Sequence, residues 1–131
     1  MNGSLNWTSD TIKALLVTSS YTFDVTDNFV SDITNELTDG SYARVTLGSK
    51  SIVEDDTGNR GVLKAAPADF GSLDNETPGG IIVYKEVTND ADSPLISYEN
   101  AGFGAAANGL GYVVNWGGVG NDEVVVGSHV A

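Results

Sequence analysis

At 131 residues, with eighteen Asp and Glu against six Lys and Arg, the chain suits one domain with its own core, and its formal charge of -12 opposes phosphate backbones and anionic lipid surfaces. It has no cysteine, which excludes disulfides and thiolate metal sites. The longest apolar runs, ALLV and IIVY, are too short to cross a bilayer, and the opening MNGSLNWTSD lacks the basic-then-apolar order of a secretory signal; neither a membrane nor a nucleic-acid partner is expected.

Residues 1–10 are polar and read as an N-terminal arm in which Leu5 and Trp7 would anchor a partner; the alternative for Trp7 is a cover over one end of the core. TIKALLV (11–17) predicts a strand, with Ile12, Ala14 and Leu16 on one face and Lys13, Leu15 and Val17 on the other. SSYTFDV turns the chain, and Thr26 is placed to cap a short helix over 27–33 that gathers Phe29, Val30 and Ile33 on one side. YARVTL (42–47) alternates Tyr42, Arg44 and Thr46 with Ala43, Val45 and Leu47. SIVE and GVLKA flank DDTGNRG, a hairpin-type turn.

After Pro67, ADFGSLDNETPGG reads as a loop. GIIVYKEV (80–87) is the strongest strand signal, and its Ile81, Ile82, Val83 and Tyr84 predict burial on both faces. The polar turn TNDADS leads into PLISYE (94–99); GYVVNW (111–116) and DEVVVG (122–127) close the chain. About eight short strands at turn-punctuated spacing predict a mainly β fold, a single β-sandwich or partly closed barrel over 11–131, with one short helix near 27–33.

Several constellations invite chemistry and fail on physical grounds. Gly102, Gly104 and Ala107 in GFGAAANG fit the G-x-G-x-x-A dinucleotide fingerprint, and Glu123 lies about twenty positions on. That site needs a helix opening at the loop, whereas Asn108-Gly109 and Gly111 cut one short and YVVNW is strand-like. The connection is expected to be a flexible link between strands, with Phe103 tucked onto the sandwich end or against a partner. His129 is a lone histidine near the C-terminal end, with nothing to orient it as a catalytic base. The acids of EDD (54–56) and NDAD (89–92) lack calcium-loop spacing and suit turn capping, so no metal or cofactor is expected. No cleft with paired carboxylates is implied, and no catalytic residue is assigned.

Four stretches in order carry a family resemblance: SDTIKALLVTSSYTFDVTDNFVSDI (9–33), NELTDGSYARVTLGSKSI (35–52), GGIIVYKEVTNDADSPLISYENAGFG (79–104) and NGLGYVVNW (108–116). Together they resemble a family of small β-rich virion proteins of tailed bacteriophages. The chain departs from the family pattern at Phe23, where the SSYT turn usually continues with Pro, and in a longer tail after Trp116. The resemblance implies a structural protein without catalytic residues. The leading expectation is a capsid decoration, or cement, protein on the outer surface of the phage head. It would be assembled in the host cytoplasm, bind the major capsid protein and self-associate as a symmetric oligomer. Leu5, Trp7 and Phe103 are the candidate partner contacts. The alternatives are a tail, neck or fibre component that binds a host surface or joins virion parts, and a small hydrolase.

Overall fold

The computed structural model describes residues 6–24, 26–38, 42–55, 60–66, 68–73, 78–99, 111–114 and 123–127. The fold is mainly β, and every strand pairing is antiparallel. Its centre is an open four-stranded sheet in which β1 (Ile12–Thr18) and β6 (Pro78–Lys85) lie side by side, flanked by β2 (Val45–Thr46) beyond β1 and by β7 (Leu95–Glu99) beyond β6. This sheet does not close into a barrel. The strands β3 (Ser51–Asp55), β4 (Arg60–Lys64) and β9 (Glu123–Gly127) form a second sheet, and β5 (Ala68–Ser72) pairs with β8 (Gly111–Val114) in a third.

The period-2 patterns of β1 and β6 place side chains on both faces of the central sheet as the alternation requires. Leu15 sits opposite Ile82 and Leu16 opposite Ile81. Ile12, Ala14, Leu16, Ile81 and Val83 face one core, which Trp7, Leu47, Ala65, Ala68, Phe70 and Leu73 cover. Leu15, Val17, Ile82 and Tyr84 face the other, which Tyr21 and Val30 cover. A sheet buried on both faces reads as a continuous apolar run. The ALLV and IIVY runs have that origin.

The hairpin forms as its turn signal predicts, with Ser51 opposite Lys64 and Asp55 opposite Arg60. Three expectations are corrected: the helix over 27–33, the strand across 42–47 and the loop after Pro67. The helix over 27–33 is a single 3-10 turn, Val30–Asp32. The Asp32 carboxylate accepts the backbone N–H groups of Asn28 (3.0 Å) and Phe29 (3.1 Å), while Phe29 bridges Pro94 in extended form. That pairing against the start of β7 leaves room for only one turn. Thr26 caps nothing there; Asp24 takes its N–H and hydroxyl instead, at 2.8 and 2.7 Å.

The strand across 42–47 contracts to Val45–Thr46, because beyond Ala14 the edge of β1 is taken by residues 35–37, through the Val17–Glu36 bridge and the bond from the Leu37 N–H to the Leu16 carbonyl, with the Tyr42 hydroxyl filling the gap between. That hydroxyl accepts the Leu16 N–H at 3.1 Å and donates to Glu36 at 2.6 Å. The loop after Pro67 contains a strand, β5, completed by β8 much later in the chain. Within the arm over 1–10, residues 6–10 form a turn fastened to the body. Asp10 N–H donates to the Asn6 carbonyl at 2.8 Å, Asn6 N–H donates to the Asp10 carboxylate at 2.7 Å, and Lys50 donates to the Asp10 carbonyl.

Because a side-chain hydroxyl stands in for a strand at Leu16, Tyr42→Phe leaves a backbone donor without its acceptor. The expected loss is about 1–2 kcal/mol, read as a lower urea midpoint at an unchanged m-value.

Candidate functional site

The second face of the central sheet ends in an open groove of about 830 Å³ between the turn after β1 and the edge of β7. Its position follows from local backbone bonding. Tyr21 N–H donates to the Thr18 carbonyl at 3.1 Å, which folds the chain back as β1 ends. Residues 28–30 are then tied to the start of β7: Val30 N–H donates to the Ser93 carbonyl at 2.9 Å and Leu95 N–H to the Asn28 carbonyl at 3.0 Å. Ser93, the one buried polar residue among those described, locks the preceding turn. Its hydroxyl donates to the Asn89 carbonyl at 2.8 Å and accepts the Val87 N–H at 3.0 Å.

Four aromatic residues line the groove, and three of them, Tyr21, Phe23 and Tyr98, meet ring to ring beside Phe29. Tyr98, on β7 opposite Ile82, is the central one. Phe23 stacks flat on it, with centroids 5.6 Å apart and planes 6° apart. Tyr21 meets it edge-on at 5.3 Å and 67°. Tyr21 is buried in the second core and Tyr98 is partly buried against it, whereas Phe23 is 52% exposed, the outer ring of the three. Asp27 and Asn28 supply the polar rim, with Ser97 on the strand side. The Tyr21 hydroxyl donates to Asp27 Oδ2 at 3.0 Å. Burial, with the Asp27 carboxylate second, pushes the Tyr21 pKa well above its ordinary value, so the phenol stays a neutral donor. Among the described residues the groove lining contains no Lys or Arg, and no cation pairs with Asp27.

Elsewhere Arg44, Lys13, Lys50 and Lys85 are committed to the framework. Arg44 forks onto Glu36 through Nε and Nη2, both at 2.8 Å, and reaches Asp90 through Nη1 at 2.9 Å. Its guanidinium also lies over Tyr84, with Cζ 5.7 Å from the ring centroid. The hydrogen bonds from Arg44 hold the Asp90 carboxyl below the usual range. Lys13 pairs with Glu86 at 3.0 Å and Lys85 with Asp10 at 3.2 Å.

The sequence-predicted contacts fare differently. Trp7 is 1% exposed and belongs to the first core, and its Nε1–H donates to the Lys64 carbonyl at 2.9 Å. Its apolar area and its one polar atom are both satisfied internally, so it covers the core and offers no exposed anchor. Leu5 and Phe103 lie outside the described residues, as do the GFGAAANG stretch, His129 and Trp116. The acidic NDAD turn is structural: the Asn89 side chain accepts the Asp92 N–H at 3.1 Å, and Asp90 is held by Arg44. Among the described residues no three His, Cys, Asp or Glu gather as metal ligands.

Tyr21 and Tyr98 were not among the residues singled out from sequence, and Phe23 stood out only as a departure from the family pattern. Tyr21 and Phe23 sit in a turn with no strand or helix periodicity, and Tyr98 lies over seventy positions away, roughly. The one local signal was Phe23 itself, a large ring in a polar turn. Comparison with known proteins gives no match to a family model, a curated protein or a solved structure.

Proposed function

We propose that the chain is a structural protein of a tailed-phage particle, a decoration protein that binds the major capsid protein on the outside of the head and stabilises the shell without chemistry. The observation that carries a binding role is the Phe23–Tyr98 stack, a large ring half out of the surface on a rigid rear wall. Such rings anchor protein partners, because they supply apolar area while losing little conformational freedom. The order of the four family-like stretches supplies the phage context. The charge of -12 suits an outward-facing layer, since like-charged particles repel one another. Symmetric self-association would let weak individual contacts add through avidity.

The second reading is a tail or fibre component that recognises a host surface. The same exposed ring favours it, since a sugar face can stack on Phe23.

Copy number per purified particle, by quantitative mass spectrometry against the major shell protein, separates the two. A number comparable to that of the shell protein is the expected result. A number confined to a single ring at the neck or tail overturns decoration, and absence from the particle overturns the virion role.

A further inference from the structure

The groove's chemistry says more about its occupant than that it is a partner. Its wall is aromatic, its rim carries one carboxylate, and among the described residues its lining has no positive charge. The protein around it carries a charge of -12, so the field at the groove mouth attracts cations and repels anions. Asp24 lies three positions before Asp27 on the same turn and contributes to that field. The described acids that face a Lys or Arg do so within the framework; among the described residues the Asp27 carboxylate accepts the Tyr21 hydroxyl and no cation.

We infer that the groove is a receptor for a basic side chain, an arginine presented by a partner protein, whose guanidinium pairs with Asp27 while its planar face lies along the Phe23–Tyr98 stack. This rests on the partner-binding reading above and names the partner's chemistry.

Three physical features make arginine the fitting occupant. A guanidinium is weakly hydrated and planar, so it loses little on leaving water and can stack on a ring and fork onto a carboxylate at once. Ring faces attract cations through their quadrupoles, and Phe23 presents a half-exposed ring. The receptor is also preorganised. The Tyr21 hydroxyl orients the Asp27 carboxylate, and Tyr21 is held edge-on against Tyr98. Few side chains need to be ordered when the guest arrives. A neutral saccharide would use the same ring but would gain nothing from the carboxylate's charge or from the surrounding acidic field.

The test uses the intact protein, labelled with 15N, and three probes. They are a capped Gly-Ser-Arg-Ser-Gly peptide, the same peptide with citrulline for arginine, and methyl α-glucopyranoside. Citrulline keeps the shape of the side chain and removes its charge. The arginine peptide is expected to shift the amides of Asn28, Ser97 and Tyr98 saturably, more weakly as salt is raised. The citrulline peptide is expected to bind about tenfold more weakly or not at all, and Phe23→Ala and Asp27→Asn to lose about tenfold each. Asp27→Asn keeps an oxygen to accept the Tyr21 hydroxyl, and Phe23 is a surface ring. Both variants should therefore retain the wild-type spectrum outside the groove, which verifies their folding.

Equal binding of the arginine and citrulline peptides overturns the inference. So do shifts confined to other surfaces, the absence of any shift, or groove shifts with the glucoside and none with arginine. Particle copy number and groove chemistry are independent readouts. A particle-bound protein with an arginine-blind groove would leave the decoration role standing and remove only this inference. An arginine-binding protein missing from particles would do the reverse.

Discussion

Trp7→Ala is expected to lower the unfolding free energy of the isolated protein by about 3–5 kcal/mol, the usual cost of deleting a buried large aromatic side chain. The whole indole lies in the first core beside Ile12, Leu16 and Phe70. Truncation removes its buried area, opens a cavity, and strips the Lys64 carbonyl of the donor now at 2.9 Å. It also unties the Asn6–Asp10 turn, whose remaining links are hydrogen bonds and the Lys50 and Lys85 contacts to Asp10. A domain of this size has only about 5–15 kcal/mol in hand, so the shift is large in either urea or thermal unfolding. If Trp7 were instead an exposed partner anchor, truncation would move stability by no more than about 0.5 kcal/mol and act only on binding. The measurement therefore separates a core residue from an arm residue. It needs no knowledge of the partner.

Gly79→Ala is the second large effect, at about 3 kcal/mol. Between Val17 opposite Gly80 and Thr18 opposite Pro78 the pairing of β1 and β6 slips by one residue, and Gly79 occupies the extra position. A Cβ there would overlap the backbone of Thr18 and Ser19. Backbone atoms cannot rotate aside as a flexible side chain can, so the bulge must open and the central strand pair with it. Overpacking of this kind costs about 1–3 kcal/mol when neighbours can yield, and the upper end applies where they cannot. Gly48→Ala is the matched control. A Cβ at Gly48 meets nothing within 4 Å, and its stability is expected to stay within about 0.5 kcal/mol of wild type. Restricting the unfolded chain by Gly→Ala favours the folded state, so a loss confined to Gly79→Ala reports the clash at the bulge, and comparable losses in both variants would show that the bulge is not its cause.

What could be read from sequence follows from where each structural instruction resides. The alternation in IKALLVT and the double-sided run IIVY define strands by themselves, because side-chain direction in a strand has a period of two whatever the partner. The DDTGNRG hairpin was equally legible, since its pairing is between neighbours in the chain. The β5 strand was not. Ala68 and Phe70 are too short a pattern to outweigh the Gly- and Pro-rich sequence after them, and the strand exists because β8 pairs with it. The turn at 27–33 shows the opposite failure. A helical spacing of Phe29, Val30 and Ile33 was present, but Phe29 and Val30 are committed to Pro94 and Ser93 at the edge of β7.

The candidate site obeys the same division. Composition alone determined that this is an acidic, cysteine-free chain inclined to strands and turns, because charge and strand propensity are sums over residues. Only the tertiary structure decided that Trp7 is core and that Phe23 is the exposed ring. Burial depends on which distant surfaces meet: Trp7 meets the Lys64 end of β4, whereas Phe23 stacks on Tyr98 and stays about half exposed. No local pattern around either residue encodes that difference, because the atoms that create it come from strands far away in the chain.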